Sequence, residues 1–178
     1  MVEEDLIETY ITDTMPDHEI NEMAQTVNEV YNKAEGGLWK IKDWRTTPEE
    51  IKELVQSESF IFVKCNGERA GQVKITKIDD STGGLGMLVV EPKFREKKLG
   101  SILMEAAEEW ARGQNCKQMR LELLTSKEPL TWEHDNKEFL KKWYARRGYV
   151  PSYTKDFEGP VSLLAVECDF TVWLKPLY

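Results

Sequence analysis

The residues best suited to chemistry stand together at 95–101, Arg-Glu-Lys-Lys-Leu-Gly-Ser, between an apolar run of Met87, Leu88, Val89 and Val90 and a helical run over 102–112. Four consecutive apolar residues read as a strand buried on both faces. Pro92 has no N–H to give a ladder, so the strand ends before it. Leu103, Ala106, Ala107 and Trp110 recur at helical spacing, so a helix follows the basic loop. The first N–H groups of a helix lack intrahelical partners, and its dipole favours negative charge there. Strand, loop and helix together therefore form an anion cradle. Arg95, Lys97 and Lys98 add positive charge where a phosphate would sit. Neither common nucleotide loop accounts for the segment. It lacks the Gly-Lys-Ser/Thr ending of a P-loop. Gly83, Gly84 and Gly86 precede the strand, where a hairpin turn is expected, and do not form the dinucleotide fingerprint.

Two further groups could move protons. Glu122 lies in a run over 119–124 where Met119, Leu121 and Leu123 alternate with Arg120 and Glu122, so a strand would point it away from the apolar cluster. Tyr144 lies in a helical run over 136–147 that carries Phe139, Leu140 and Trp143 and stops at Gly148. Glu91, at the end of the central strand, is a rival carboxylate. Cys65, Cys116 and Cys168 are far apart, form no Cys-x-x-Cys pair and have no nearby histidine in the sequence. They read as reduced, buried thiols and not as a disulfide frame, zinc site or nucleophile. Two histidines, His18 and His134, are too few for a typical histidine-based metal site, and no metal is expected.

The elements that must position these groups follow from periodicity and turn chemistry. A first strand is expected over 6–12. A helix capped by Asp17 carries Ile20, Met23, Ala24, Val27, Val30 and Tyr31. Residues 38–46 form a loop holding Trp39 and Trp44. Thr47-Pro48-Glu49-Glu50 opens a second helix, with Thr47 as N-cap and Glu50 completing a capping box. Strands over 60–65 and 72–78 flank Asn66-Gly67, a strong hairpin signal. A second turn over 79–84 leads to the central strand. After the helix come the strand over 119–124, a polar loop over 127–135 with Pro129 and Trp132, the helix of Tyr144, and a terminal strand region over 162–174. A short strand over 150–154 is possible. The order β-α-α-β-β-β-α-β-α-β predicts an α/β chain of the α+β mixed-sheet kind, with a central mixed sheet flanked by helices.

Arg95-Glu96-Lys97-Lys98-Leu99-Gly100 resembles the acyl-coenzyme A loop of the GNAT superfamily of N-acetyltransferases, Arg/Gln-x-x-Gly-x-Gly/Ala, with Lys98 where the family usually has Gly. The run Leu140 to Gly148-Tyr149, with Trp143-Tyr144 inside it, resembles the family's Ala-x-x-Leu-Tyr-x-x-x-Gly-Phe. Arg120-Leu121-Glu122-Leu123 resembles the Leu-Glu-Val strand of the branch that acetylates ribosomal-protein N-termini. The element order matches the GNAT fold across nearly the whole chain, so residues 1–178 are expected to form one such domain.

The resemblance implies acetyl-CoA as acyl-donor cosubstrate and a primary amine as acceptor. It implies a pantetheine arm along Leu88, Val89 and Val90, and a pyrophosphate held by the loop of Arg95, Lys97, Lys98, Leu99, Gly100 and Ser101. Tyr144 falls on the position of the general acid and Glu122 on that of the general base, while Trp39 and Trp44 are candidates for the acceptor wall. The family often has Asn seven residues before its tyrosine. Lys137 holds that spacing here, and Asn136 is one residue off. The chemistry fits the residue types: an amine with a pKa near ~10.4 must lose a proton to a carboxylate, and a phenol with a pKa near ~10 can return one to the departing thiolate.

Composition bounds the reading. The chain has 178 residues, 40% hydrophobic and 31% charged, as in a soluble globular domain. No apolar run approaches the roughly 20 residues of a membrane span, and an acidic start, Met1-Val2-Glu3-Glu4-Asp5, argues against a targeting peptide, so a cytoplasmic protein without a membrane partner is expected. A net charge of −8 argues against general nucleic-acid binding and is compatible with a cationic substrate. The acceptor could be a small molecule or a peptide, and the chain a monomer or a homodimer. Two other classes compete with the transferase: a domain that binds acyl-CoA as a sensor, mildly favoured by Lys98, and a cofactor-free interaction domain.

Overall fold

Asn66 and Gly67 both take positive φ, 52° and 84°, as a two-residue type I′ hairpin turn requires. In the computed structural model, which describes residues 2–128 and 134–178 with the side chains of 134–136 excepted, this hairpin opens a seven-stranded sheet. The elements in chain order are β1 (Ile7–Tyr10), α1 (Asp17–Ala34), α2 (Pro48–Gln56), β2 (Phe60–Cys65), β3 (Glu68–Lys77), β4 (Thr82–Val90), α3 (Leu99–Gly113), β5 (Gln118–Ser126), α4 (His134–Arg146), β6 (Val150–Asp156) and β7 (Cys168–Pro176). The strand order is β1-β2-β3-β4-β5-β7-β6, antiparallel except for the parallel pair β4–β5, so the mixed sheet read from the sequence is present. Among the described residues no helix is long and apolar enough to cross a membrane. The expected loop residues Pro129 and Trp132, and the side chain of Asn136, lie outside the described residues.

Each face of the sheet carries its own helices. Ile20, Met23, Ala24 and Val27 of α1 and Ile51 and Val55 of α2 pack with Phe60, Phe62, Met87 and Val89. On the other face Leu99, Leu103, Met104, Ala107 and Ala111 of α3 pack with Ile61, Val63, Val73, Ile75, Met119, Leu121 and Leu123. Burying one such side chain contributes about 1.5–3 kcal/mol. The three cysteines are buried free thiols, as their spacing suggested.

Several local readings are corrected. Pro16, not Asp17, is the N-cap of α1, and Asp17 is its first helical residue. Thr47 does cap α2, accepting from the Glu50 N–H at 3.1 Å, but the Glu50 carboxylate takes a bond from the Thr46 hydroxyl at 2.9 Å. The possible strand over 150–154 is the edge strand β6, and β7 begins only at Cys168 because a 3-10 turn over Val161–Leu163 comes first.

The most consequential correction concerns Gly83, Gly84 and Gly86. They lie inside β4, and the turn is earlier, where the Ile78 N–H bonds Thr82 O at 2.9 Å. A Cβ on Gly83 would meet Ala111 Cβ at 2.8 Å and one on Gly84 would meet Ile78 Cδ1 at 2.8 Å, so the absent side chains let neighbours approach the strand. Nor is 87–90 buried on both faces: Met87 and Val89 are buried, while Leu88 and Val90 are half-buried on the α3 face.

Candidate active site

β4 and β5 are paired only at Thr82↔Gln118, Gly83↔Met119 and Gly84↔Arg120. Beyond Gly84 they part, whereas β5 stays paired with β7 through all nine of its residues. Met87, at φ 48°, is a bulge: β3 pairs Lys74↔Gly86 and then Gln72↔Val89, so β4 holds one residue more than its partner. The parting opens two cavities, of about 510 Å³ and about 210 Å³. Tyr31, Glu35, residues 85–87, Leu121, Glu122 and Leu124 line both, so the two are continuous across the opening.

The narrower cavity is walled by Leu88 of β4 and by Lys137, Leu140, Trp143 and Tyr144 of α4. The N-terminus of α3 lies beside it, with Gly100 packed toward Trp143 and Leu88. Lys98, its N-cap, sits at φ 58°, ψ 25°, the left-handed conformation in which glycine is unstrained. Lysine therefore holds the loop geometry without the family's glycine. The first intrahelical bond, Ile102 N–H to Lys98 O at 3.3 Å, leaves the N–H groups of residues 99–101 free. A Cβ on Gly100 would make ordinary contacts with Trp143 Cζ2 at 3.7 Å and Leu88 Cδ2 at 3.8 Å, so the start of α3 lies against α4 and β4.

Side chains around the loop are less uniform than the sequence implied. Lys97 donates to Asp5 Oδ2 at 2.5 Å, and Asn66 bonds the same carboxylate at 2.9 Å. The Lys97 bond holds Asp5 below the usual carboxylate range and raises Lys97 above its own. Arg147, which sequence reasoning did not single out, donates to the Ser101 hydroxyl and lies over Trp143 at 4.6 Å. Its signal was adjacency to the Trp143-Tyr144 run.

Tyr144 packs against the rings of Trp143 (5.5 Å), Tyr149 (6.3 Å) and Trp173 (6.2 Å). Burial pushes its phenol well above the ordinary value, with a smaller contribution from Tyr31. The hydroxyl thus stays protonated through neutral pH. Glu122 points away from Met119, Leu121 and Leu123, as alternation required, and lines both cavities. Its carboxylate accepts from Arg120 at 2.6 Å and pairs with Lys155 at 2.9 Å. Glu91 lines neither; it accepts from Arg69 at 3.0 Å and from the Thr26 hydroxyl at 3.1 Å.

Trp39 and Trp44 both line the wider cavity, stacked with ring centroids 3.6 Å apart. Phe157 meets Trp39 edge-on at 5.5 Å, and Phe170 stacks on Phe157 at 5.7 Å. Backbone bonds fix this wall: Lys40 N–H to Leu163 O and Ala165 N–H to Leu38 O, both 2.8 Å. The 3-10 turn before β7 thereby fastens the α1–α2 loop. Arg45, Lys74 and Arg120 also line the cavity.

One pair joins the two cavities. Lys137 donates to Glu35 Oε1 at 3.3 Å, and both side chains are more than nine-tenths buried. The Trp39 indole donates to Glu35 Oε2 at 2.9 Å. The end of α1, the α1–α2 loop and α4 are thus held at one carboxylate. Sequence reasoning marked the Lys137 spacing but missed Glu35, 102 residues away.

A sequence profile described as the acetyltransferase (GNAT) family matches residues 21–149. Among curated proteins no sequence matches this chain. Solved structures share the fold. A GNAT-family acetyltransferase from Streptococcus pneumoniae is 20% identical with a TM-score of 0.61, over 97% of this chain and 99% of that one. Ard1 from Thermoplasma volcanium is 22% identical with a TM-score of 0.58, over 95% of each chain. The yncA protein of Salmonella typhimurium, whose structure contains its cofactor acetyl-CoA, is 12% identical with a TM-score of 0.64, over 97% of this chain and 94% of that one.

Proposed function

The chain belongs to the GNAT acetyltransferase family, and from that premise we propose that it is an acetyl-CoA-dependent N-acetyltransferase acting on a primary amine. The observation that carries the proposal is the opening between β4 and β5, where Tyr144 and Glu122 line one cavity and Gly100, at the N-terminus of α3, packs toward its wall residues Trp143 and Leu88.

Acetyl-CoA supplies an acyl group activated as a thioester. The N–H groups of residues 99–101 and Arg147 suit its phosphates, and the edge of β4 left free by β5 suits the amides of a pantetheine arm, as an added strand would. Glu122 accepts a proton from the ammonium acceptor, directly or through water, so that the neutral amine can attack the acyl carbon. A main-chain N–H on the edge of β4 left unpaired by β5 would be a fixed donor for the negative charge that develops on the acyl oxygen. Tyr144 holds its proton until the thiolate needs it. Removal from water raises the phenol's proton affinity and would raise that of the thiolate in the same direction.

The test is thiol release from acetyl-CoA against a panel of primary amines, with labelled acetyl recovered on the amine. Release that depends on the amine supports the reading. Coenzyme A binding with no transfer to any amine would turn it toward a sensor, and no binding at all would remove the cofactor assignment.

A further inference from the structure

The wider cavity is electrostatically unlike the chain that contains it. The whole protein carries −8, yet the cavity is lined by Arg45, Lys74 and Arg120 against two carboxylates, Glu35 and Glu122. Both carboxylates are already matched. Glu35 is bonded to Lys137, and Glu122 lies between Arg120 and Lys155, the latter shared with Glu158 at 2.9 Å. Among the described residues neither Arg45 nor Lys74 has a carboxylate partner, and the buried Nε of Arg120 has no hydrogen-bond partner. Arg45 instead lies 4.9 Å from the ring centroid of Tyr31 and donates a hydrogen bond to that residue's hydroxyl, a neutral partner that leaves its charge unmatched.

Half-buried cations without counter-ions are unfavourable in the empty cavity and favourable once an anion enters. They also oppose an acceptor whose only charge is an ammonium. The rest of the wall is aromatic: Tyr31, Trp39, Trp44, Phe157 and Phe170. A volume of about 510 Å³ suits a small molecule.

Resting on the transferase reading above, we propose that the acceptor is a small amine that also carries an anionic group and an apolar body, with Arg45 and Lys74 taking the anion. Glu122 faces the ammonium, the aromatic wall faces the apolar part, and Arg45, Lys74 and the free Nε of Arg120 supply the positive field. A carboxylate and a phosphonate share this chemistry.

The experiment compares matched acceptors: L-phenylalanine, 1-amino-2-phenylethylphosphonic acid and 2-phenylethylamine, then L-methionine and 3-(methylthio)propylamine. It measures kcat/KM for the wild-type protein and for Arg45→Met and Lys74→Met, with coenzyme A affinity by calorimetry confirming that each variant is folded. The change of the anionic-to-neutral ratio on substitution carries the test, because an anion also shifts the amine's own pKa. The ratio should favour the anionic acceptors at least tenfold and should collapse about tenfold in each variant, with Lys74→Arg restoring it. Whichever anionic arm is faster separates carboxylate from phosphonate. A neutral amine used equally well, or a ratio that survives both substitutions, overturns the proposal while leaving an N-acetyltransferase. Coenzyme A binding without transfer to any of these amines overturns the acceptor class and leaves the cofactor side standing. Failure to bind coenzyme A removes the transferase reading and this proposal with it.

Discussion

On the α3 side of the opening the unpaired polar groups are main-chain: the N–H groups of residues 99–101 and the edge of β4. On the α1–α2 side they are side chains drawn from separate segments, from Tyr31 through Lys74 and Glu122 to Phe170. A main-chain site can be kept while side chains change, provided the loop holds its dihedrals, as Lys98 does at φ 58°. A side-chain site is rebuilt by each substitution. The first kind suits a ligand that stays the same, and the second suits one that differs between relatives.

The largest expected effect falls on the pair that joins the two sides. Lys137→Met leaves the Glu35 carboxylate buried with, among the described residues, the Trp39 indole as its side-chain partner, and should destabilise the protein by about 3 kcal/mol, lowering Tm by roughly 6–12 °C. Thermal unfolding checks it. An unchanged Tm would mean that the two sides are held independently.

Tyr144→Phe should lower turnover roughly 100-fold, about 2.7 kcal/mol, while coenzyme A affinity stays near wild type. Because burial raises the phenol's pKa, its acid form persists through alkaline pH, so kcat should show no fall attributable to Tyr144 up to about pH 10. Parental turnover in the variant would assign the proton to water or another group.

Glu122→Gln should depress kcat/KM by about tenfold or more, with the loss of the limb that rises with pH, since a base works only when deprotonated. Glu91→Gln, whose side chain lies outside both cavities, should leave that limb in place. The pH–rate profiles of the two variants decide between them, and the reverse pattern would move the base to the end of β4.

Gly100→Asp tests the main-chain side alone. The new Cβ has ordinary contacts at 3.7 Å, and an acidic residue near a helix N-terminus is favourable, so the variant should fold. Coenzyme A affinity should drop at least tenfold, about 1.4 kcal/mol, in calorimetry. Unchanged affinity would remove the phosphates from α3. The smallest effect is expected from Asp5→Asn, which frees Lys97 beside the loop and should tighten coenzyme A binding two- to threefold at low salt, as an order-of-magnitude expectation, with the gain fading as salt rises.

What could be read from the sequence follows the same division. Asn66-Gly67, Thr47-Pro48 and the loop before α3 state their geometry within a few residues, because turn, cap and helix-start chemistry is local. The glycines of β4 were misread for the opposite reason. Locally they signal a turn, but their cause is Ala111 and Ile78, brought against the strand by the fold. The stacked tryptophans were placed on the acceptor wall by resemblance, whereas nothing local in the sequence marks Arg45 and Lys74, which come to one cavity only when β3 and the α1–α2 loop meet. Net charge was merely compatible with a cationic substrate, and only the folded arrangement shows cations gathered in the wider cavity.

The parting of β4 from β5 has one more consequence. A strand edge with free main-chain groups is a template on which other chains can pair and aggregate, which is why proteins shorten, charge or cover their outer edges. Here such an edge lies in the middle of the sheet, between α1 on one face and α4 on the other. Helices on both faces stand where the side chains of a second polypeptide strand would project, while a thin chain with few substituents makes no such demand. The protein thus carries an unpaired strand edge inside its sheet and not at its rim.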